Sequence, residues 1–81
     1  MDNSQIYAKL NVIFRNLFDN DSIVVTPRTC AKDIEGWDSL EHITLIDTIQ
    51  RTFKMKFKMK EVSSMKNVGQ MVEIIAERTK L

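Results

Sequence analysis

The chain changes from loop to helix at GWDSLEHITLI, residues 36–46. Asp38 is a favoured N-cap residue, because its carboxylate can accept a hydrogen bond from a free N–H of the first turn. Glu41 follows three positions later, which is the spacing of a capping box. The stretch therefore predicts that the second helix of the chain begins at Asp38 or Ser39.

This second helix has two distinct faces. Its inward stripe recurs at helical spacing and consists of His42, Leu45, Ile46, Ile49 and Phe53. The other face contains Ser39, Ile43, Asp47 and Gln50. Ser39 is therefore expected to point away from the core at the helix start. Ile43 lies at the boundary of the stripe, where core packing and exposure are both open.

Two further long helices are predicted, one on each side of the second. The first covers residues 4–18, is capped by Asp2, Asn3 or Ser4, and has the stripe Ile6, Leu10, Ile13, Phe14 and Leu17. The last covers about residues 67–78, with Asn67 and Gln70 as a capping pair and the stripe Val68, Met71, Val72 and Ile75. Residues 19–37 form a long ordered loop, a feature that is often functional.

The stretch FKMKFKMK, residues 53–60, alternates strictly between apolar residues and lysine, which taken alone indicates a strand. The rest of the chain offers no partner strand, and a lone strand leaves its backbone groups unpaired. We therefore interpret it as the end of helix two, a turn and a short segment leading to residues 61–64. The predicted fold is all-α, a small four-helix bundle of three long helices and one short one with a long first loop.

Length and composition place the chain among small globular domains. Its 81 residues are 43% hydrophobic and 28% charged, which predicts a single domain over residues 1–81. No apolar run is long enough for a transmembrane helix, and the first residues lack a signal-peptide pattern. Cys30 is the single cysteine and cannot form an internal disulfide, which together with the missing signal-peptide and membrane patterns favours a reducing cytoplasm. Its thiol has no nearby His in the sequence, so we expect it to be inert. We also expect a monomer.

The charge is unevenly distributed, although the net charge is only +1. Acidic residues prevail up to position 49, and basic residues prevail beyond it. Four lysines stand close together in the basic half: Lys54, Lys56, Lys58 and Lys60. Three explanations stay open: a solvated face, repulsion of partners with basic surfaces, or attraction to nucleic acid or an anionic membrane.

Ser39 does not resemble a catalytic nucleophile. Glu41 stands where a nucleophile elbow needs its second glycine, and His42 falls on the inward stripe as a core-edge residue. No glycine-rich oxyanion loop is present, so we predict no enzyme activity, no catalytic residue and no metal ligand. Ser39 is then either a simple helix-start serine or an attachment point for a phosphate group, which a helix N-terminus suits.

The tripeptide Asp38-Ser39-Leu40, at the head of an apolar-striped second helix after a long loop that ends in Gly36, resembles the acyl carrier protein family. The resemblance covers nearly the whole chain. Residues 6–18 are similar to the first helix of the family, Phe53 to the aromatic residue that closes the second, and residues 65–75 to the fourth. Trp37 also occurs before the motif in some stand-alone carriers, and we expect its ring to pack on the loop.

The resemblance implies a function and a site. In the family, the serine that matches Ser39 carries 4′-phosphopantetheine, which a phosphopantetheinyl transferase donates from coenzyme A with magnesium. The thiol of this arm holds the cargo as a thioester, and acyl-loading and acyl-processing enzymes do the chemistry. The resemblance implies partner docking by Asp38, Leu40, Glu41 and Ile43. Asp47 is assigned to the same docking face but departs from the family, in which this position is often apolar, so the face is expected to be more acidic there. Four lysines with a net charge of +1 are a weak electrostatic signal and no apolar run could span a membrane, so we expect no nucleic acid partner and no stable membrane insertion.

The four lysines depart from the family, whose familiar fatty-acid carriers are acidic there and overall. We therefore expect a stand-alone carrier of a specialised fatty acid or polyketide-type pathway. The cargo stays open among fatty acyl, polyketide and aminoacyl groups. The alternative is a small helical interaction module that binds a protein, nucleic acid or an anionic membrane through Lys54, Lys56, Lys58 and Lys60.

Overall fold

The computed structural model describes residues 2–80. It contains four α-helices: α1 (Asn3–Leu17), α2 (Ser39–Phe53), α3 (Met59–Ser64) and α4 (Val68–Arg78). A 3₁₀ turn at Ala31–Asp33 lies in the long first loop, and residues 2–80 contain no strand. The prediction of an all-α bundle with three long helices and one short helix is confirmed.

Acidic or amide side chains cap the three long helices. Asp2 caps α1 in a complete capping box with Gln5, so α1 begins one residue earlier than predicted. The capping box predicted for α2 is only half formed. Asp38 Oδ1 accepts from the Glu41 N–H at 2.9 Å, but the Asp38 N–H donates to the Gly36 carbonyl. Asn67 caps α4 in the same way, by accepting from the Gln70 N–H.

The predicted apolar stripes meet in one core. α1 packs against both α2 and α4, and every aliphatic or aromatic stripe residue except Leu17, which is half-buried, is buried. The loop contributes three more buried side chains, Ile23, Val25 and Ile34. His42, predicted inward, lies half-buried at the edge of this core. The hydrophobic effect thus explains why three helices and the loop between the first two come together.

Polar contacts order the long loop against the helices. On α1, the Asn11 amide oxygen accepts from the Val25 N–H at 2.7 Å, and Arg15 Nε donates to the Ile23 carbonyl. The first free N–H groups of α4 donate to loop carbonyls, Val68 to Thr29 and Gly69 to Pro27. A Cβ at Gly69 would lie 2.9 Å from the Pro27 oxygen, so this close approach needs glycine.

The alternating stretch of residues 53–60 does not form a strand, which agrees with the prediction. Helix α2 ends at Phe53, and Lys54 continues the chain in the left-handed conformation, with φ 53°. The Phe57 N–H donates to the Gln50 side-chain oxygen, which explains why Gln50 is half-buried although it was assigned to the outer face. Met55 is buried and Phe57 half-buried, whereas the lysines are exposed. Helix α3 then begins at Met59, within the stretch that was interpreted as a turn and a short segment leading to residues 61–64.

A half-buried ion pair fastens α3 to α4. Arg78 donates from its two terminal nitrogens to the two carboxylate oxygens of Glu61. Glu61 Oε1 also accepts from the Lys58 N–H at 2.7 Å. These hydrogen bonds, with that from Arg78 first, lower the pKa of Glu61 from 4.5 to about 2. The ionised form of Glu61 is therefore favoured by folding.

The lowered pKa of Glu61 predicts a pH-dependent contribution to stability. The contribution is complete above pH 4.5, and it disappears as the pH falls from there to about 2. Glu61→Gln should therefore lower the midpoint of thermal unfolding at neutral pH, and its difference from the original protein should shrink through that range. Circular dichroism melts over a pH series measure this. The matched control Glu73→Gln removes an exposed carboxylate. A difference that stays constant with pH would contradict the prediction.

Candidate functional site

Ser39 is the first residue of α2, and its side chain is exposed, as the sequence predicts. The cap of α2 is the carboxylate of Asp38, which occupies the position before it. The Ser39 hydroxyl is therefore not the group that caps the helix, which argues against its reading as a simple helix cap. Ser39 lies where the amides and the dipole of a helix N-terminus favour a negatively charged group.

A cavity of about 450 Å³ opens beside Ser39, between the start of α2, helix α3 and the start of α4. Its lining includes Trp37, Ser39, His42, Val62, Met65 and Met71. Lys66 and Asn67 lie at the same cavity from the α4 side. The site thus combines an exposed hydroxyl with a partly apolar space that is open to solvent. Periodicity in the sequence gave no signal for this cavity, because it is formed between helices.

His42 connects three parts of the structure at this cavity. Trp37 Nε1 donates to His42 Nδ1 at 3.1 Å, and His42 Nε2 lies 3.1 Å from the Val62 carbonyl on α3. The indole N–H can only donate and the carbonyl can only accept, so the tautomer with hydrogen on Nε2 satisfies both contacts. Both ring nitrogens are engaged, and His42 is not positioned as a base for Ser39. This agrees with the prediction that Asp38, Ser39 and His42 are not a catalytic set.

Trp37 fixes the end of the loop next to the site, as its predicted packing role requires. Its ring meets Phe14 edge-on with centroids 5.3 Å apart, lies against Phe18, and stacks on His42. Sequence reasoning missed the hydrogen bond between Trp37 and His42. The only sequence signal for this contact was the expectation that His42 faces inward. The contact itself depends on how the loop enters α2, which the sequence pattern does not show.

The five residues predicted to dock partners differ in exposure. Leu40 and Ile43 are 74% and 64% exposed, which resolves the open question on Ile43 in favour of the surface. Asp38 and Asp47 are exposed, and Glu41 is half-buried. Asp47 pairs with Arg51 one turn later at 2.9 Å. The negative charge of Asp47 is therefore partly offset by a cation of the same helix.

Two other features are absent from the part of the chain that the structure describes. Residues 2–80 contain no group of three or more His, Cys, Asp or Glu side chains that could hold a metal ion. None of the described helices is long and apolar enough to cross a membrane.

Cys30 is half-buried, and its thiol lies 3.5 Å from a carboxylate oxygen of Asp33.

Comparison with solved structures identifies the family. The chain superposes on the solution NMR structure of holo acyl carrier protein from Geobacter metallireducens with a TM-score of 0.83. The two sequences are 42% identical, and the match covers 89% of this chain and 83% of the other. This chain belongs to the acyl carrier protein family. No protein-family model matches it, and no curated protein sequence matches it.

Membership explains why the site lacks catalytic machinery. An acyl carrier protein is a carrier and not an enzyme, so its serine needs no general base. The resemblance first recognised from Asp38-Ser39-Leu40 is thereby confirmed, together with the helical fold. Ser39 is an exposed residue at the start of α2, with a neighbouring cavity.

Proposed function

We propose that this acyl carrier protein tethers acyl intermediates as thioesters on a 4′-phosphopantetheine arm attached to Ser39. The arm comes from coenzyme A through a phosphopantetheinyl transferase, and the protein presents its cargo to acyl-loading and acyl-processing enzymes. One observation carries the proposal. Ser39 is exposed at the first position of α2, while Asp38 performs the capping. Its hydroxyl is thus accessible to another enzyme without any change in the helix.

The residues around Ser39 fit such an arm. A phosphodiester on the hydroxyl would lie at the N-terminus of α2, where backbone amides and the helix dipole stabilise an anion. The cavity beside it offers about 450 Å³, with apolar walls from Trp37, Met65 and Met71. When bound, the arm supplies the thiol that holds the cargo. The protein itself supplies the orientation, because Trp37 and His42 fix the loop and helix on which Ser39 stands.

Partner enzymes would meet the protein next to Ser39. Leu40 and Ile43 present large apolar side chains to solvent, which favours contact with a partner surface. Asp38, Glu41 and Asp47 are the acidic members of this proposed docking surface. Because Asp47 is paired with Arg51, we assign the stronger electrostatic contribution to Asp38.

The proposal also covers the domain, the location, the oligomeric state and the type of pathway. We infer that residues 1–81 are one acyl carrier domain, acting as a cytoplasmic monomer in a specialised fatty acid or polyketide-type pathway. The support is the cluster of four exposed lysines, which would repel partners with basic surfaces. The match to a carrier over 89% of the chain makes an interaction module without carrier function the weaker alternative.

Intact-mass spectrometry tests the carrier function. The purified apo protein is incubated with coenzyme A, magnesium and a promiscuous phosphopantetheinyl transferase, next to a well-behaved carrier as a control. We expect a gain of one phosphopantetheine, and a further gain of one acyl group when an acyl-coenzyme A replaces coenzyme A. No gain by the folded protein, with full modification of the control carrier, would overturn the proposed function.

The same loaded protein tests the specialised pathway. Offered to a standard fatty-acid ketosynthase, it should be turned over slowly or not at all, whereas an acidic fatty-acid carrier is turned over normally. Equal turnover of the two carriers would refute the specialised-partner proposal and leave the carrier function intact.

A further inference from the structure

Three of the lysines that follow α2 have no carboxylate partner within residues 2–80, and only Lys58 interacts electrostatically with a nearby carboxylate, that of Glu61. Lys54, Lys56, Lys58 and Lys60 are all exposed, and within residues 2–80 none forms a salt bridge. The carboxylates closest in the chain have other partners. Asp47 pairs with Arg51, and Glu61 pairs with Arg78 through two hydrogen bonds. The positive charge of Lys54, Lys56 and Lys60 is therefore available for an external anion.

The end of α4 adds to this charge. The Lys80 N–H donates to the Phe53 carbonyl, and Arg78 donates to the Lys56 carbonyl, so the chain after α4 lies against the chain after α2. A surface depression of about 550 Å³ results, lined by Gln50, Lys54, Met55, Lys56, Arg78 and Lys80. Among the described residues, its lining has three lysines without a salt bridge (Lys54, Lys56 and Lys80), Arg78, whose charge is paired with Glu61, and no carboxylate. Such a depression suits an anionic group.

An exposed apolar side chain lies among these lysines in the sequence. Met59 is 89% exposed and stands between Lys58 and Lys60. The two apolar residues before it in the alternation, Met55 and Phe57, are turned toward the core, so Met59 is the member of the series left in solvent. A flexible, unbranched side chain surrounded by lysines can enter an apolar phase while the ammonium groups stay in water.

The residue types favour a lipid surface over a protein or a nucleic acid. Protein interfaces are enriched in aromatic residues and arginine and depleted in lysine. Here the cations are lysines, and Arg78 is already bound to Glu61. Single-stranded nucleic acids are held on aromatic platforms, but the strongly exposed large apolar residues of positions 2–80 are aliphatic: Val12, Val24, Leu40, Ile43 and Met59. Clustered lysines match the diffuse negative charge of anionic lipid headgroups.

We infer that this surface docks the protein reversibly on anionic lipid bilayers. The surface, called the basic face, consists of Lys54, Lys56, Lys58, Lys60 and Lys80 with Met59 as its apolar contact. Lys54 and Ser39 lie at opposite ends of α2, a helix of 15 residues that is about 22 Å long. Lys54 thus lies far from Ser39, whereas Met59 and Lys60 lie one helical turn before Val62 and Ser63, which line the cavity beside Ser39. A carrier docked through the Lys54 end of the basic face keeps Ser39 at the far end of α2.

Vesicle flotation tests the basic face with the full-length protein. Vesicles of phosphatidylcholine with one third phosphatidylglycerol are compared with pure phosphatidylcholine at low salt. We expect binding to the anionic vesicles only. Each lysine near such a surface contributes about fivefold in affinity. The triple variant Lys54→Gln, Lys56→Gln, Lys60→Gln should therefore bind at least about tenfold more weakly. Met59→Ser should weaken the binding that remains at high salt.

A matched triple variant distinguishes weaker binding caused by loss of the basic face from weaker binding caused by lower net charge. Lys9→Gln, Arg28→Gln and Lys32→Gln remove the same number of exposed cations elsewhere and should leave binding nearly unchanged. Equal loss in both triple variants, equal binding to neutral vesicles, or no binding at all would overturn the inference. So would binding of a short DNA duplex through the same lysines as tightly as the vesicles.

Two further measurements keep this test independent of the proposed function. Circular dichroism must show that both triple variants are folded, with unchanged thermal midpoints. Ser39→Ala should bind vesicles as the original protein does, because Ser39 lies outside the basic face. Vesicle binding without phosphopantetheine loading would therefore refute only the carrier function, and loading without vesicle binding would refute only the basic face.

Discussion

A Ser39→Ala protein is expected to gain no mass when it is incubated with coenzyme A, magnesium and a phosphopantetheinyl transferase. The loss should be complete, because the proposed bond forms on the Ser39 oxygen itself. The fold should survive, since the Ser39 side chain is exposed and Asp38 caps the helix. Alanine is also a favourable helix residue. Intact mass and a thermal melt, measured on the same sample, separate loss of the attachment point from unfolding.

Ser63→Ala is the matched control for this prediction. Ser63 is an exposed serine that lines the same cavity, but it lies near the end of the short helix α3 instead of at the start of a long helix. The Ser63→Ala protein should be modified as the original protein is. Modification of Ser39→Ala, or loss of modification in Ser63→Ala alone, would assign the arm to another residue.

The second large effect is expected in the core. Leu45→Ala and Ile49→Ala should each lower the free energy of unfolding by about 2–5 kcal/mol, as buried large-to-small changes do. Both side chains are 0% exposed and lie in the stripe that α2 turns toward α1 and the shared core. A domain of this size has a small core, so either change removes a large part of the total stability.

Denaturant unfolding monitored by circular dichroism measures these changes. Ile43→Ala is the control on the same helix, because its side chain is 64% exposed. We expect its effect to stay within about 0.5 kcal/mol. If Ile43→Ala cost as much as Ile49→Ala, the assignment of the inward face of α2 would be wrong.

Local patterns explain why most of the helices were predictable. The stripes of α1, α2 and α4 recur within a few turns, and the caps Asp38 and Asn67 act over three residues. Such signals need no knowledge of the rest of the chain. The hydrogen bond from the Asp38 N–H to the Glu41 side chain, predicted as part of the capping box, is not formed. The Asp38 N–H donates to the Gly36 carbonyl instead, and this choice depends on how the loop bends.

The stretch of residues 53–60 shows where local patterns mislead. Its alternation is that of a strand, and only the lack of a partner strand argued against one. The structure shows the deciding contacts. The Gln50 side chain binds the Phe57 N–H, and the pair of Glu61 and Arg78, 17 positions apart, holds α3 against α4. The start of α3 at Met59 follows from these contacts and not from helical periodicity.

The sequence by itself determined the three long helices, their buried faces and the exposed Ser39 behind Asp38, because these depend on periodicity and capping within single segments. Tertiary structure alone decided four other features: the exposure of Ile43, the hydrogen bond from Trp37 to His42, the cavity beside Ser39, and the position of Lys80 in the same surface depression as Lys54 and Lys56. Each of these depends on residues that are brought together only when helices and loop pack. Their relative positions follow from shape complementarity in the core, which one segment of sequence does not encode.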